Sequence, residues 1–411
     1  MWLGRKLKEQ ANWMKQAAVS AYVRLRDGDV LENWKSVLLL TRLTPGEGNA
    51  WSSREHVMQA VLVSFTLLTS IRIGFSCLLH DDGIQHLMGH TVLRFGSIGR
   101  LLSLTAGLVA LQCALFRITV YRLHQKQEMN FLPIMEMVTN TVLPFDGQDK
   151  RQLGRKVLMC TVAAAVLIIL MPGGVIVTVL CFTNCHHSET MVQVLLWMFW
   201  WTQDLLFVIV VATDFVLIPS MWIFLVLSLH MDMSSLADHL DKMTMGGRLR
   251  NPDQVYETYI QLTKEVTKMK PFLTPVLSIF AMCSTPLICT VTYSLPYMDN
   301  AFFVLIVVEV GSAMIVQEFA FLALASQVNS LSLRLYQLFC SIFSRHKDSL
   351  SLRERYSLLQ TMEEMGSEER LLSLHTLDGE KYTTETFLIF VLDTAVHYTL
   401  LVTFGVFFKR P

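Results

Sequence analysis

The sequence predicts an all-α polytopic membrane protein with seven transmembrane helices, an N-terminus inside the cell and a C-terminus outside it. Hydrophobic residues make up 52% of the 411 positions and charged residues only 17%, whereas about a quarter of the residues in a soluble domain are charged. The apolar runs that are long enough to cross about 30 Å of hydrocarbon as helices are 57–79, 95–116, 157–183, 193–229, 271–295, 302–327 and 386–408. They are predicted to be helices because an open strand leaves its backbone unsatisfied in lipid.

The orientation follows from the distribution of Lys and Arg. Of the 34 basic residues, 29 fall in four segments, namely 1–56, 117–156, 231–270 and 328–385. The connections on the opposite side contain neither residue type, and they are 80–93, 184–192 and 296–301. Because basic loops stay in the cytoplasm, the N-terminus is expected inside, and an odd number of spans then leaves the C-terminus outside.

The fourth apolar run, 193–229, is too long for one perpendicular crossing. The helix must tilt, kink or project beyond the bilayer, and Pro219 is the expected break. The alternative is two crossings with a turn near Thr213 and Asp214, although this stretch has no Gly and no polar loop.

The long cytoplasmic connections carry helical patterns of their own. In 231–270, Met233, Leu236 and Leu240 recur at helical spacing, and Gly246 then breaks the pattern. Such amphipathic helices either lie at the membrane interface or pack against each other and against other subunits. The second arrangement is favoured because their basic residues are balanced by acidic ones.

Several ionisable residues fall inside the predicted spans, where each is costly and suggests a function. A candidate ligand-binding pocket near the outer face combines charged and aromatic residues: Arg72, Arg100, Trp197, Trp201, Asp204, Tyr293, Phe303 and Glu309. An aromatic-walled pocket with a few charges is typical of a small-molecule site. The alternatives are structural ion pairs and an interfacial aromatic belt. Asp214 and Glu318 lie closer to the cytoplasm, and a structural role is expected for both.

The last span has one polar stripe. Asp393 and His397 are four residues apart and therefore share a helix face, which Leu400, Thr403 and Phe404 continue. Such a helix suits the lining of a pore in a symmetric oligomer, where a ring of Asp393 would favour cations and an apolar ring could form the gate. The alternative is a buried Asp–His pair that holds the helix to its neighbours.

No metal or cofactor is predicted. The outer-loop histidines, such as His80 and His86, fit no standard metal spacing. The zero net charge suggests no nucleic-acid partner.

The last span also resembles a known family. In the insect gustatory and odorant receptor superfamily this helix reads Thr-Tyr, five hydrophobic residues, then Gln-Phe. Residues 396–404 occupy that register, and Phe404 and most of the hydrophobic middle match. The topology is also similar, so the chain is identified as a divergent gustatory-type member. The resemblance places His397 at the Tyr position and Thr403 at the Gln position.

The resemblance implies a tetrameric ligand-gated cation channel. It divides the chain into a cytoplasmic helical segment 1–56, a ligand-binding bundle 57–327 whose anchor helices lie in 231–270, further anchor helices in 328–385, and a pore helix in 386–411. The expected function is a non-selective cation channel that senses a small polar tastant at the plasma membrane, as a homo- or heterotetramer and without enzymatic activity.

Other seven-helix proteins remain alternatives. A G-protein-coupled receptor would have the opposite orientation and an Asp-Arg-Tyr-like triplet, which the third span lacks. A zinc hydrolase would need several inward histidines, but only His397 lies well inside a span. A transporter would show inverted repeats, and none is apparent.

Overall fold

A computed structural model gives the architecture of the chain, and every regular element in its described part is a helix. The structure describes residues 29–41, 43, 52–78, 96–126, 131–140, 150–183, 191–245, 252–294, 301–346, 350–366, 374 and 383–408. The helices in these residues are α1 Val30–Leu40, α2 Ser53–Leu78, α3 Gly96–Gln125, α4 Phe131–Asn140, α5 Lys150–Thr183, α6 Met191–Met245, α7 Pro252–Ser294, α8 Ala301–His346, α9 Leu352–Gly366 and α10 Thr384–Phe408.

The described part of each of the seven predicted spans lies within one helix, so the seven-helix fold is confirmed. The spans fall in α2, α3, α5, α6, α7, α8 and α10. Within the described residues, five segments are long and apolar enough to cross a membrane: Ser53–Phe75, Ser103–Gln125, Met198–Met243, Val255–Tyr293 and Met314–Arg345. A shorter apolar stretch, Leu388–Leu400, lies in α10.

The fourth apolar run forms one continuous helix. α6 has 55 residues and passes through Thr213, Asp214 and Pro219 without interruption, so the alternative with a turn near Asp214 is wrong. At 1.5 Å per residue it is about 80 Å long, far more than the bilayer needs. α6 therefore projects well beyond the membrane, and Pro219 does not end it.

The projecting halves of α6, α7 and α8 continue the packed core of the bundle. The predicted apolar positions Met233, Leu236 and Leu240 are at most 1% exposed, and α6 ends at Met245 before the Gly pair. Tyr259 of α7 meets Phe339 of α8 edge-on at 5.8 Å between ring centroids. These helices bury their apolar faces against one another, which is the arrangement that the sequence favours.

The centre of the bundle holds a stack of aromatic rings from four helices. Trp222 lies parallel to Phe321 at 4.1 Å, and Phe321 lies parallel to Phe280 at 4.3 Å. Phe116 continues the stack from Phe280 at 6.2 Å. This aromatic column (Phe116, Trp222, Phe280 and Phe321) joins α3, α6, α7 and α8 through fully buried rings.

Local capping signals begin two helices that lie outside the predicted spans, α1 and α9. The Asp29 carboxylate accepts from the Leu31 N–H at 2.8 Å and caps α1. At the start of α9, the hydroxyl and backbone N–H of Ser351 both donate to Glu354 Oε2 at 2.7 Å. This capping box lowers the pKa of Glu354, chiefly through the Ser351 hydroxyl and then its backbone N–H. The Glu354 carboxylate is therefore ionised at neutral pH.

Candidate functional site

Arg72 and Asp204 form an ion pair between α2 and α6 in the predicted outer part of the bundle. Arg72 is buried, and the Asp204 side chain is 28% exposed. The Trp200 ring lies under the guanidinium, with its centroid 4.6 Å from Arg72 Cζ. Trp200 and Asp204 are one helical turn apart, so α6 presents an aromatic face and a carboxylate to the same cation.

A neutral hydrogen bond reinforces this contact. Gln203 Nε2 donates to Thr69 Oγ1 at 2.9 Å. Thr69 lies one turn before Arg72 on α2, and Gln203 precedes Asp204 on α6. Together these five residues form a row of polar and aromatic contacts between the two helices. This row is called the outer cluster (Thr69, Arg72, Trp200, Gln203 and Asp204). Its position and its mixture of charge and aromatic surface suit the recognition of a small polar molecule.

The structure describes the side chains of three predicted ligand residues. It brings together Arg72 and Asp204, and it places Tyr293 half-buried at the end of α7. Trp200 and Gln203 were not among the predicted ligand residues, although both lie beside predicted ones. The side chains that lie outside the described part are those of Arg100, Trp197, Trp201, Phe303 and Glu309. The ligand-binding role of all these residues stays a prediction.

A second ion pair lies deeper in the bundle and was missed. Arg117 Nε and Nη2 donate to the two carboxylate oxygens of Asp214 at 2.7 and 2.5 Å. Arg117 also donates to Gln59 Oε1 at 3.2 Å and to the Thr41 carbonyl at 3.5 Å. The contacts connect α2, α3, α6 and the end of α1. The pair is almost fully buried, in keeping with the structural role expected for Asp214.

Arg117 opens the basic segment 117–156, which was predicted to be cytoplasmic, and the structure shows that its side chain is buried within the helix bundle. α3 continues to Gln125, and Arg117 is only 2% exposed. Its apolar neighbours Phe116, Ile118 and Val120 are the signal that could have placed it inside the helix. A third buried pair, Lys150 with Asp232 at 2.6 Å, connects α5 to α6.

The last helix, α10, contacts only α7 and α8 closely among the described helices. Its residues that are partly covered recur at helical spacing and are Thr386, Phe390, Val391, Thr394 and Tyr398. Asp393 and His397 lie at the edge of this stripe, and their side chains are each 55% exposed. His397 Nδ1 lies 3.4 Å from Asp393 Oδ1 and 2.9 Å from the Asp393 carbonyl oxygen.

Within one chain, the Asp393 and His397 side chains are therefore not buried against α7 or α8. Leu400 and Thr403 are exposed on α10 with Asp393 and His397, and the side chain of Phe404 lies outside the described part. Two half-exposed polar side chains facing lipid tails would be strongly unfavourable. The face of α10 that carries them therefore suits a water-filled space or another subunit.

One close helix contact holds α7 against α8 beside this helix. A Cβ added at Gly311 of α8 would overlap with Val291 Cγ1 of α7. Only glycine permits this separation. On the inner side of the same pair, Cys289 Sγ lies 3.8 Å from the Thr394 carbonyl oxygen of α10.

Comparison with known proteins identifies the fold. No known family and no curated protein matches the sequence. The chain is similar to the solved structure of the insect olfactory receptor OR5 from Machilis hrabei in complex with eugenol, with a TM-score of 0.64, 12% identity, and coverage of 93% of this chain and 99% of that one. It is also similar to the structure of the same receptor described without eugenol, with a TM-score of 0.62, 12% identity, and coverage of 92% and 98%.

The chain therefore has the fold of an insect olfactory receptor along nearly its whole length. This confirms the all-α, seven-helix membrane architecture.

Proposed function

We propose that the chain is a chemosensory receptor of the insect chemoreceptor superfamily that works as a ligand-gated, non-selective cation channel. The observation that carries this proposal is the exposed polar face of α10 in a chain with the olfactory-receptor fold. Asp393 and His397 need a polar surrounding, and a helix at the edge of one chain gains it when several copies enclose a pore.

A tetramer in the plasma membrane is the proposed assembly, with four copies of this chain or with related subunits. Four copies of α10 would bring Asp393 together as a ring of carboxylates, and such rings favour cations over anions. Thr403 and Leu400 would line the same pore. The proposed orientation places the N-terminus in the cytoplasm and the C-terminus outside.

The outer cluster is the proposed ligand site. The olfactory receptor with the same fold has been solved in complex with eugenol, a small molecule, and a small ligand is proposed for this chain as well. Arg72 and Asp204 favour a polar ligand over a purely apolar one because either charge can bond to a polar group. A tastant is the finer proposal.

Gating requires the ligand to bind the open state more tightly than the closed state. Arg72 and Asp204 join α2 to α6, and α6 packs along α8, which in turn contacts α10. A ligand that rearranges the ion pair therefore acts on α6, which is connected through α8 to the proposed pore helix α10.

The direct test is to express the chain alone in a cell without related receptors and record currents during application of small polar compounds. A ligand-evoked cation current supports the proposal. Silence with confirmed surface delivery, alone and with a related subunit, contradicts it.

The pore assignment has its own test. Asp393→Asn should lower the permeability of cations relative to anions, whereas Glu385→Gln, which removes an exposed carboxylate at the start of the same helix, should change it much less. An unchanged permeability ratio in Asp393→Asn would remove Asp393 from the pore.

The second candidate is a seven-helix receptor of the G-protein-coupled type, or a transporter, without an intrinsic pore. Orientation discriminates the receptor. An epitope after Pro411 should be stained on intact cells if the channel proposal is right, and only after permeabilisation if the chain has the orientation of a G-protein-coupled receptor.

A further inference from the structure

Glu318 is a buried carboxyl in the membrane part of α8 that neither the outer cluster nor the exposed face of α10 uses. It is 1% exposed, and neither of its oxygens has a hydrogen-bond partner among the described residues. A carboxylate that is cut off from water and unpaired is strongly disfavoured, whereas the neutral acid is tolerated.

The surroundings of Glu318 are a thin polar layer in the apolar core. Gln112, Ser284 and Glu318 each lie one turn from a ring of the aromatic column, on α3, α7 and α8 respectively. α7 is antiparallel to both other helices, so the three turns lie on the same side of the column. All three residues are buried, and the Gln112 amide also has no partner among the described residues.

The Ser284 hydroxyl lies next to the Glu318 carboxyl, so its dipole interacts with that carboxyl. Its proton, however, is donated to the Phe280 carbonyl at 2.7 Å. The described part of the layer thus offers Glu318 the Ser284 dipole and the neutral Gln112 amide, and no positive charge.

Among the residues that the structure describes, the basic side chains in the membrane part of the bundle are committed to other partners. Arg72 is held by Asp204, and Arg117 is held by Asp214. Arg100 is 12 residues from Gln112 along α3, which places it about 18 Å further along the helix axis.

The remaining titratable groups on the packed elements are acidic, neutral or remote. α3 presents the Cys113 thiol, α7 presents the Cys283 and Cys289 thiols, and α10 presents Asp393 with its partner His397. α6 presents Asp214, which Arg117 neutralises. The membrane part of α5 after Lys156 has no charged residue.

We propose that Glu318 is a proton-binding site: it carries a proton in this conformation and releases it to water when α10 moves away from α7 and α8. The release is a simple dissociation in which water that enters the layer takes the proton. Protons therefore stabilise the conformation described here.

The contact between Cys289 of α7 and Thr394 of α10 connects the movement of α10 to the protonation of Glu318. Cys289 is buried under α10 at this contact. Asp393 and Glu318 both lie close enough to interact electrostatically with its thiol. A displacement of α10 would break the contact with Cys289, and the proposal is that it also admits water to the layer that holds Glu318. If the proposed channel opens by such a displacement, acidification should oppose opening. This coupling rests on the proposed function, whereas the proton site does not.

Infrared spectroscopy of the purified full-length protein in lipid tests the proton site without any channel current. At neutral pH, the difference between the wild-type chain and Glu318→Gln should contain the C=O stretch of one protonated carboxylic acid. Glu354→Gln, which removes an ionised carboxylate on α9, should leave that band in place. A band of equal intensity in the wild-type chain and in Glu318→Gln overturns the proposal.

A second variant retains Glu318, so the proposal can still be tested if Glu318→Gln fails to fold. Ser284→Ala removes the dipole that acts on the carboxyl, so the band should persist to a higher pH than in the wild-type chain. A lower pH for the loss of the band would contradict the assignment.

Ligand-evoked currents in excised patches test the coupling. Lowering the pH should raise the half-maximal ligand concentration of the wild-type channel, by at most about tenfold per pH unit for one linked proton. Glu318→Gln should lose this dependence, while Glu354→Gln should keep it. An identical pH dependence in Glu318→Gln refutes the coupling. If the chain gives no current at all, the channel proposal fails and the infrared band still decides the proton site.

Discussion

Asn329 and Leu374 are joined by two hydrogen bonds that point in opposite directions. Asn329 Nδ2 donates to the Leu374 carbonyl at 3.0 Å, and the Leu374 N–H donates to Asn329 Oδ1 at 2.7 Å. Leu374 lies in the connection between α9 and α10 and is 1% exposed. The side-chain amide of Asn329 on α8 therefore satisfies both the buried N–H and the buried carbonyl of Leu374. It also fixes the connection that leads to α10.

Asn329→Ala should destabilise the protein and weaken the coupling of α10 to α8. The change leaves two buried backbone groups of Leu374 without these partners, and each such loss costs about 1–3 kcal/mol. Thermal unfolding of the purified protein should occur at a lower temperature. Gln327→Ala removes an exposed amide from the same helix and should have little effect. Equal unfolding temperatures for the two variants would show that the double hydrogen bond contributes nothing.

The Arg117–Asp214 pair should be strongly sensitive to the loss of one partner. Arg117→Met leaves Asp214 charged and buried, and removing one member of a buried pair costs about 3–5 kcal/mol. The double variant Arg117→Met/Asp214→Leu removes both charges and should recover much of the lost stability. Unfolding temperature and surface delivery measure both variants. A double variant that is no more stable than Arg117→Met would mean that the hydrogen bonds to Gln59 and Thr41 matter more than the charge balance.

Gly311 should tolerate a larger residue only when Val291 is reduced. Gly311→Ala places a Cβ where Val291 Cγ1 lies, and overpacking of this kind costs about 1–3 kcal/mol. Val291→Ala removes that methyl group, so Gly311→Ala/Val291→Ala should restore much of the stability. Gly74 has no neighbour within 4 Å of an added Cβ, which makes Gly74→Ala the matched control. If Gly311→Ala is as well tolerated as Gly74→Ala, α7 and α8 are not tightly packed at this point.

The seven helices could be predicted because their signal is local. Hydrophobic length and the distribution of basic residues need no knowledge of tertiary contacts, and the buried faces at Met233, Leu236 and Leu240 follow from spacing alone. Arg117 could not be placed by such reasoning. Its burial depends on a carboxylate 97 residues later on another helix, and a basic residue at the end of an apolar run looks the same in sequence whether it faces the cytoplasm or a partner.

The candidate site was predictable only in part for a related reason. Arg72 and Asp204 stood out because charges are rare in spans, and their convergence followed from similar depth. Gln203 and Thr69 carry no such signal, because uncharged polar residues are common in membrane helices. Their contact becomes visible only once α2 and α6 are aligned against each other.

Exchanging the two charges of the outer cluster should separate a structural role from a ligand-binding one. Asp204→Asn leaves Arg72 buried without its counter-charge and should reduce surface delivery or stability. The swap Arg72→Asp/Asp204→Arg restores a pair of opposite charges between α2 and α6, so assembly should recover. It also moves the cation from α2, where it lies one turn from Thr69, to α6, where it shares a helix with Trp200. If the cluster binds a polar ligand, the swapped protein should reach the surface and respond to that ligand at least about tenfold more weakly, a loss of about 1.4 kcal/mol. Thr202→Ala, an exposed neighbour on α6, is the control and should keep the original potency. A swapped protein with unchanged ligand potency would show that Arg72 and Asp204 hold the helices together and do not contact the ligand.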